Sequence, residues 1–172
     1  MNLQEDIKIR IFNKNDQLIV QEMIINGLID AANNYPSKIK DGVSSYLHRS
    51  LNEDLRDIHN HYFKKGIFFV AVINDQIIGS LGAELVDNST FRLKRLSVKP
   101  NYRRKGIAKK LLFSIEEWVN KINGNLLILG TSEAQKNAVK FWKNSGFKVI
   151  DSKVAESGVR VYSLEKRLNS NF

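Results

Sequence analysis

One short segment, NYRRKGIAKKLL over residues 101–112, carries the residue types with the clearest chemistry. It places Arg103, Arg104 and Lys105 directly before Gly106 and then begins an amphipathic helix. Adjacent cations repel one another unless an anion lies among them. The first N–H groups of a helix favour an anion, and glycine allows close approach. The segment therefore predicts a phosphate or pyrophosphate site at the N–H groups of residues 104–109, the alternative being a solvated basic helix start.

The charge distribution points to the same region. The chain has a net charge of +9, and nine Lys or Arg but no Asp or Glu lie between Arg92 and Lys110. Such a segment indicates an anionic partner: a phosphate-bearing ligand, nucleic acid or an anionic surface. A basic face kept for solubility is the other interpretation.

Several classes of site find no support. The sequence has neither GxxxxGK[ST] nor GxGxxG, so a magnesium–ATP site and a nicotinamide site are not expected. It has no cysteine, and His59 and His61 are two apart, on different faces of a helix, so we expect no metal. No apolar run approaches the roughly 20 residues of a membrane span, and the N-terminus lacks a signal-peptide core. We expect a soluble, cytoplasmic protein.

Hydrophobic patterning predicts one domain over residues 1–172 with the elements that position this segment. We expect a strand over 7–11, a helix over 16–33, an unpatterned region over 35–52 and helical spacing at Leu51, Leu55, Ile58 and Tyr62. A hairpin of two apolar strands over 66–85 precedes a strand over 91–98. After the basic turn we expect a helix whose apolar stripe is Ile107, Leu111, Ile115, Trp118 and Ile122. We then expect a strand over 125–130, a helix over 134–145 that ends at Gly146, and a hairpin with its turn at 156–158. The order predicts an α+β fold with a largely antiparallel sheet and one strand–helix–strand crossover.

The strand before the basic turn changes its alternation. Phe91 and Leu93 put the apolar face on odd positions, whereas Leu96 and Val98 put it on even ones. Alternation of period two changes parity only where one residue is extra. We therefore predict a β-bulge near Lys94 and Arg95, which separates the strand from its neighbour and frees backbone groups for an extended ligand.

Two motifs together carry a family resemblance. Arg103-x-x-Gly106-x-Ala108, after an RLSV strand, resembles the (Q/R)xxGx(G/A) signature of the GNAT superfamily of acyl-CoA N-acyltransferases. LILGTSEAQKNAVKFWKNSGF resembles the second half of that family's core. The resemblance covers residues 67–150 well, and its details are most similar to the amino-acid and cysteine-conjugate acetyltransferase branch. It implies a GNAT-like mixed sheet flanked by helices, with a bulged, splayed central strand.

The resemblance also implies acetyl-CoA as co-substrate and direct acetyl transfer to a primary amine of a small molecule, an amino acid or a peptide N-terminus. Residues 67–172 would form the acetyl-CoA-binding core, and residues 1–66 the acceptor side. Leu96 and Val98 would pair with the pantetheine arm. The residues implied in acetyl-CoA binding are Leu96, Ser97, Val98, Arg103, Arg104, Lys105, Gly106, Ile107, Ala108, Lys109, Ser132, Gln135, Asn137 and Trp142. Ser132 and Gln135 also fit a capping box, and Asn137 is displaced by two from the family's frequent asparagine.

The resemblance leaves the proton-transfer groups open. Many members have a tyrosine where this chain has Trp142, whose indole N–H does not titrate usefully, so we expect Trp142 to pack. Tyr162 is the candidate acid, with Tyr102 or unassisted thiolate departure as alternatives. Arg92 lies on the strand where a glutamate is frequent and cannot act as a base. Glu84 is the candidate base, the alternative being an exposed carboxylate at a strand end.

Two other functions remain in view. One is a basic nucleic-acid-binding module, and the other is a catalytically inactive GNAT domain that binds CoA as a regulator. GNAT proteins are often dimers, so a homodimer is an expectation of the resemblance.

Overall fold

The structure, a computed structural model, describes residues 6–33 and 35–168. The strands are β1 Lys8–Ile11, β2 Gly66–Ile73, β3 Gln76–Asp87, β4 Thr90–Val98, β5 Leu126–Ser132, β6 Lys148–Val154 and β7 Arg160–Arg167. The helices are α1 Gln17–Ala32, α2 Ser37–Ser50, α3 Ile58–Tyr62, α4 Ile107–Lys121 and α5 Lys136–Asn144. A π-helix, Leu51–Leu55, follows α2, and short 3₁₀ turns precede α1, α4 and α5.

The strands form a seven-stranded sheet in the order β1-β2-β3-β4-β5-β7-β6. Neighbouring strands are antiparallel except β4 and β5, which are parallel and joined through α4. The predicted α+β fold with one strand–helix–strand crossover is confirmed.

Helices cover both faces of the sheet. On one face, α4 and α5 pack over a core that includes the fully buried Leu111, Ile115 and Leu127. On the other face, α1 and α3 pack over a second core around Val20, Tyr62 and Phe68. Because β2 is covered on both faces, its sequence GIFFVAVI is apolar without interruption.

The two hairpins form where the sequence predicts them. Asn74 and Asp75 connect β2 to β3, both with positive φ (46° and 62°), as a two-residue turn requires. Gly158 has φ of +82° in the turn between β6 and β7, and Gly146 has φ of +91° just after α5. The expected helix end at Gly146 is therefore confirmed.

Three predictions about helices were wrong in part. Residues 35–52, which lack an apolar stripe, contain α2, whose one buried residue among its described side chains is Ser50. The helical spacing from Leu51 to Tyr62 does not form one helix, because a break at Asp57 separates the π-helix from α3. In α4 the buried stripe includes Leu112 and Val119, while Ile122 lies past the helix end and is exposed.

None of the helices in the described ranges combines the length and the apolar content that crossing a bilayer requires.

Candidate active site

The predicted bulge lies in β4. Gly82 pairs with Lys94 and Ser80 with Ser97, so two residues, Arg95 and Leu96, lie opposite the single residue between their partners on β3. Arg95 has φ of +65°, the left-handed conformation that one bulge type requires. Phe91 and Leu93 are buried before the bulge, and Leu96 and Val98 contact the same core after it. The β-bulge predicted near Lys94 and Arg95 is therefore confirmed.

Beyond the bulge, β4 separates from β5. The two strands pair only from Thr90 to Arg92, opposite Leu126 to Ile128. Past this point the edge of β4 that faces β5, with Leu96, Ser97 and Val98, has no strand partner among the described residues. The Val98 carbonyl accepts a hydrogen bond from Arg103 Nε at 3.0 Å. The divergence leaves an opening between the strands, as expected.

The basic turn connects this edge to α4. Arg103 is extended, Arg104 has φ of +63°, and Gly106 caps the helix with φ of +78°. Among the described hydrogen bonds, none has a backbone N–H of residues 104–109 as its donor. A Cβ added at Gly106 would meet no heavy atom within 4 Å. The helix therefore presents free donors, positive charge and open space to an anion.

The cations of the basic segment divide into two groups. Arg92, Lys94 and Arg95 lie against carboxylates on the face covered by α1 and α3. The second group lies around the start of α4, where its exposed members are Arg103, Arg104, Lys105, Lys109 and Lys110. Within it, Lys105 Nζ lies 5.3 Å from the ring centre of Tyr102. Eight of the nine cations thus lie in two separate groups and do not form one continuous surface.

Glu84 is the centre of a polar cluster on the face covered by α1 and α3. It lies on β3 opposite Arg92, which belongs to the last pair before the opening. Its carboxylate contacts His61 Nε2 at 2.7 Å, Lys94 Nζ at 3.0 Å and Arg92 at 3.9 Å. Burial raises the pKa of Glu84, but the hydrogen bonds from His61 and Lys94 outweigh it and hold the pKa below the ordinary 4.5. Glu84 is therefore ionised at neutral pH.

The two candidate tyrosines lie elsewhere. Tyr162, on β7 opposite Thr131, borders an open groove of ≈ 380 Å³ together with Tyr35, Glu133 and Val139. Tyr102 lies in the 3₁₀ turn before the basic segment. No hydrogen bond joins Glu84 to Tyr162 in the described part of the chain, and their strands flank the β4–β5 pair on opposite sides.

The remaining predicted residues lie at the end of β5 and on α5. Ser132 is the last residue of β5, and Asn137 is exposed in the first turn of α5. Gln135 Oε1 accepts from Thr131 Oγ1 at 3.3 Å and makes no cap to α5, so the capping box with Ser132 was wrong. Trp142 is 5% exposed and packs edge-on against Phe141 and Phe147, which confirms its packing role.

Sequence reasoning missed two features. One is the contact between His61 and Glu84, which are 23 positions apart in the chain. The ion pair between Asp54 and Arg95 is also absent from the sequence-based prediction. The sequence gives one signal for the pair, since a left-handed bulge position favours glycine and here holds an arginine.

Comparison with known proteins now decides the family. Residues 36–168 match the model of the acetyltransferase (GNAT) domain family. The chain belongs to the GNAT acetyltransferase family. Among the described residues of this GNAT domain, no group of three or more histidine and acidic side chains could hold a metal ion.

Individual relatives agree with this assignment. An N-acetylaspartate synthetase of Danio rerio is 34% identical over 111 residues, which are 63% of this chain and 39% of the relative. The human N-acetyltransferase 8 is 31% identical over 112 residues, 61% of this chain and 49% of the relative. The chain thus spans half or less of the length of these relatives.

Among solved structures, a GNAT-family acetyltransferase from Staphylococcus aureus Mu50 has a TM-score of 0.77 and 25% identity. The match covers 95% of this chain and 100% of that one. The fold implied by the resemblance is confirmed.

Proposed function

We propose that this GNAT domain transfers the acetyl group of acetyl-CoA to a primary amine. In the reaction a bond forms between the amine nitrogen and the acetyl carbon, the bond from that carbon to sulfur breaks, and the amine proton leaves. The observation that carries the proposal is the start of α4, where free N–H groups, Gly106 and five exposed cations lie beside the opening between β4 and β5.

The residues around that opening suit acetyl-CoA. The free edge of β4 at Leu96, Ser97 and Val98 can pair with the amide groups of the pantetheine arm. The N–H groups of residues 104–109 can bind the pyrophosphate, and each hydrogen bond to a charged group contributes about 1.5–3 kcal/mol. Ser132, Gln135 and Asn137 lie on the other side of the opening and complete the proposed site.

For the proton transfers we propose Glu84 and Tyr162. Because Glu84 is an anion and can only accept, its hydrogen bond with His61 has the imidazole Nε2–H as donor, and the tautomer with hydrogen on Nε2 has its lone pair on Nδ1. Glu84 would then act as base through His61, a histidine–carboxylate arrangement common in general base catalysis. Tyr162, which borders the groove at the end of β5, is the proposed donor to the thiolate, with Tyr102 or unassisted departure as alternatives.

For the acceptor we propose an amine that carries a carboxylate. The side chain of Arg92 is 44% exposed beside Glu84, and Lys94 lies in the same cluster. An arginine fork binds a carboxylate in a bidentate manner. Relatives named N-acetylaspartate synthetase support an amino acid, and aspartate is therefore the first acceptor to test.

The experiment is acetyl transfer followed by mass spectrometry. Purified protein with acetyl-CoA is offered L-aspartate, other L-amino acids, a tripeptide and a polyamine, and each product is examined for one added acetyl group. We expect transfer to at least one amino acid and none to the polyamine. Acetyl-CoA binding without transfer to any amine would favour the regulatory domain. If acetyl-CoA does not bind, and DNA or RNA binds with an affinity that falls as salt rises, the result would favour the nucleic-acid module.

The homodimer and the cytoplasmic location stay predictions. The exposed apolar residues of the edge strand β6, Val149, Ile150 and Val154, support a surface for a second copy. Analytical ultracentrifugation would test this, and a monomer at all concentrations would contradict it.

A further inference from the structure

Arg95, at the bulge of β4, has two features that general physical chemistry disfavours. Its backbone is left-handed (φ +65°), where a residue with a Cβ is uncommon and glycine is favoured. Its side chain is 3% exposed, although a buried charge loses its hydration. Residues that combine such features persist only where the surrounding structure requires them.

Each of the three guanidinium nitrogens of Arg95 donates a hydrogen bond to a neighbouring side chain. Nε donates to Asp54 Oδ2 at 2.8 Å and Nη2 donates to Asp54 Oδ1 at 2.5 Å, so the pair is bidentate. Asp54 is 0% exposed and also accepts from Tyr62 Oη at 2.6 Å. Nη1 of Arg95 donates to Tyr46 Oη at 3.0 Å. The backbone carbonyl of Arg95 accepts from Ser80 Oγ at 2.9 Å.

This network joins two parts of the molecule. Asp54 lies in the π-helix Leu51–Leu55, a rare element that is frequent at functional sites, and Tyr46 lies on α2. Both belong to the acceptor side of the chain. The other end is the bulge itself, which is followed at once by the free edge of β4 at Leu96 and Val98. The bulge beside the free edge of β4, where we propose that the thioester binds, is therefore held by side chains from α2 and the π-helix.

We infer that Asp54 and Arg95 are positioning residues, which hold the bulge so that the thioester carbonyl of acetyl-CoA lies in one polarised orientation at the opening. This inference rests on the proposed function. Among the described hydrogen bonds, none joins this network to the turn before α4, which is the proposed pyrophosphate site. Breaking the pair should therefore change the environment of the acetyl carbonyl and leave affinity for acetyl-CoA nearly unchanged.

The test uses acetyl-CoA isotope-labelled at the thioester carbonyl, with calorimetry for the dissociation constant and NMR for the bound carbonyl resonance. The variants are Asp54→Asn and, since a lone buried charge can prevent folding, the double variant Asp54→Asn with Arg95→Gly. Glycine keeps the left-handed backbone of the bulge. The matched control is Asp16→Asn, because Asp16 is also buried and accepts two hydrogen bonds from one arginine, Arg10, far from β4.

In wild type and Asp16→Asn we expect the same bound carbonyl resonance, displaced from that of free acetyl-CoA. In both Asp54 variants the resonance should move toward the free position while the dissociation constant changes by less than about threefold. An unchanged resonance in the folded Asp54 variants, or a wild-type resonance equal to the free one, would overturn the inference alone. A wild-type protein that binds no acetyl-CoA would overturn the proposed function and this inference with it.

Discussion

At the scale of single residues, the carboxylates around the proposed site are held by basic partners. Glu84 contacts His61 and Lys94, and Asp54 pairs with Arg95. Both acids have pKa values below their ordinary ones although burial alone would raise them. They therefore carry negative charge at neutral pH, Glu84 beside the proposed acceptor and Asp54 in the core.

Replacing Glu84 tests its proposed catalytic role. We expect Glu84→Gln to lower turnover by about 10²-fold, the range of general base catalysis, with acetyl-CoA affinity changed by less than about twofold. Steady-state kinetics and calorimetry measure the two quantities. The control is Glu116→Gln, because Glu116 has nearly the same exposure (20% against 18%) and is also paired with a lysine, Lys166. Equal turnover of Glu84→Gln and wild type at every pH would remove Glu84 from the mechanism.

The pKa of Asp54 predicts a pH dependence of stability. Burial raises this pKa, but the hydrogen bond and charge of Arg95 lower it below the ordinary 3.8. The pKa of Asp54 is lower in the folded chain than in the unfolded chain. The stability that ionised Asp54 contributes is therefore fully present above pH 3.8 and is lost as pH falls through the folded pKa. Urea unfolding in this acid range should therefore show a steeper loss of stability for wild type than for Asp54→Asn. If the stability of wild type and of Asp54→Asn fell equally with pH, the lowered pKa of Asp54 would be contradicted.

The sequence reveals local residue patterns better than distant pairs. The segment from Arg103 to Gly106 predicts an anion site because the cations and the glycine that such a site needs are adjacent in the sequence. The pair between Asp54 and Arg95 spans 41 positions, and that between His61 and Glu84 spans 23. Only the fold brings such residues together, so neither pair could be predicted from composition or periodicity.

At the scale of elements, the sequence predicts those strands and helices whose apolar residues must be spaced so that they all face the core. The bulge of β4 was visible because both sides of it pack against the same core and the parity of apolar residues had to change. Helix α2 was not predicted because, apart from Ser50, none of its described residues is buried. Its sequence therefore needs no apolar stripe, which is the pattern that predicts a helix. The break before α3 was missed because Asp57 caps the new helix while the apolar spacing continues across the break.

Close packing between α3 and the sheet gives a prediction at this scale. A Cβ added at Gly82 would lie 2.6 Å from the ring of Tyr62 and 2.7 Å from that of Phe68, two buried side chains. We expect Gly82→Ala to lower the free energy of unfolding by about 1–3 kcal/mol, as overpacking does. Urea denaturation measures it.

The control for Gly82→Ala is Gly130→Ala in β5. A Cβ at Gly130 has its nearest neighbour at 3.9 Å, so its effect should stay within about 0.5 kcal/mol. A Gly82 variant as stable as this control would show that α3 does not pack as described.

At the scale of the whole molecule, the net charge of +9 has a specific arrangement. Three cations of the basic segment lie against carboxylates on one face, and five exposed cations lie at the start of α4. Seen in the sequence, these residues formed one run and left nucleic acid as an alternative. The fold divides them because Arg92, Lys94 and Arg95 lie on β4, whereas the other group follows in the turn and in the first turn of α4.

The most direct test of the central claim, an acetyl-CoA site at the start of α4, is thermal unfolding with and without acetyl-CoA. At about 100 times the dissociation constant the ligand should stabilise wild type by about 2.7 kcal/mol. At roughly 2–4 °C per kcal/mol this is a rise of several degrees. Gly106→Glu should abolish the rise, because a carboxylate would meet the pyrophosphate. Gly158→Glu, which has the same left-handed backbone (φ +82° against +78°) in the β6–β7 turn, should retain it. No rise for wild type at millimolar acetyl-CoA, or equal rises for both variants, would contradict the account.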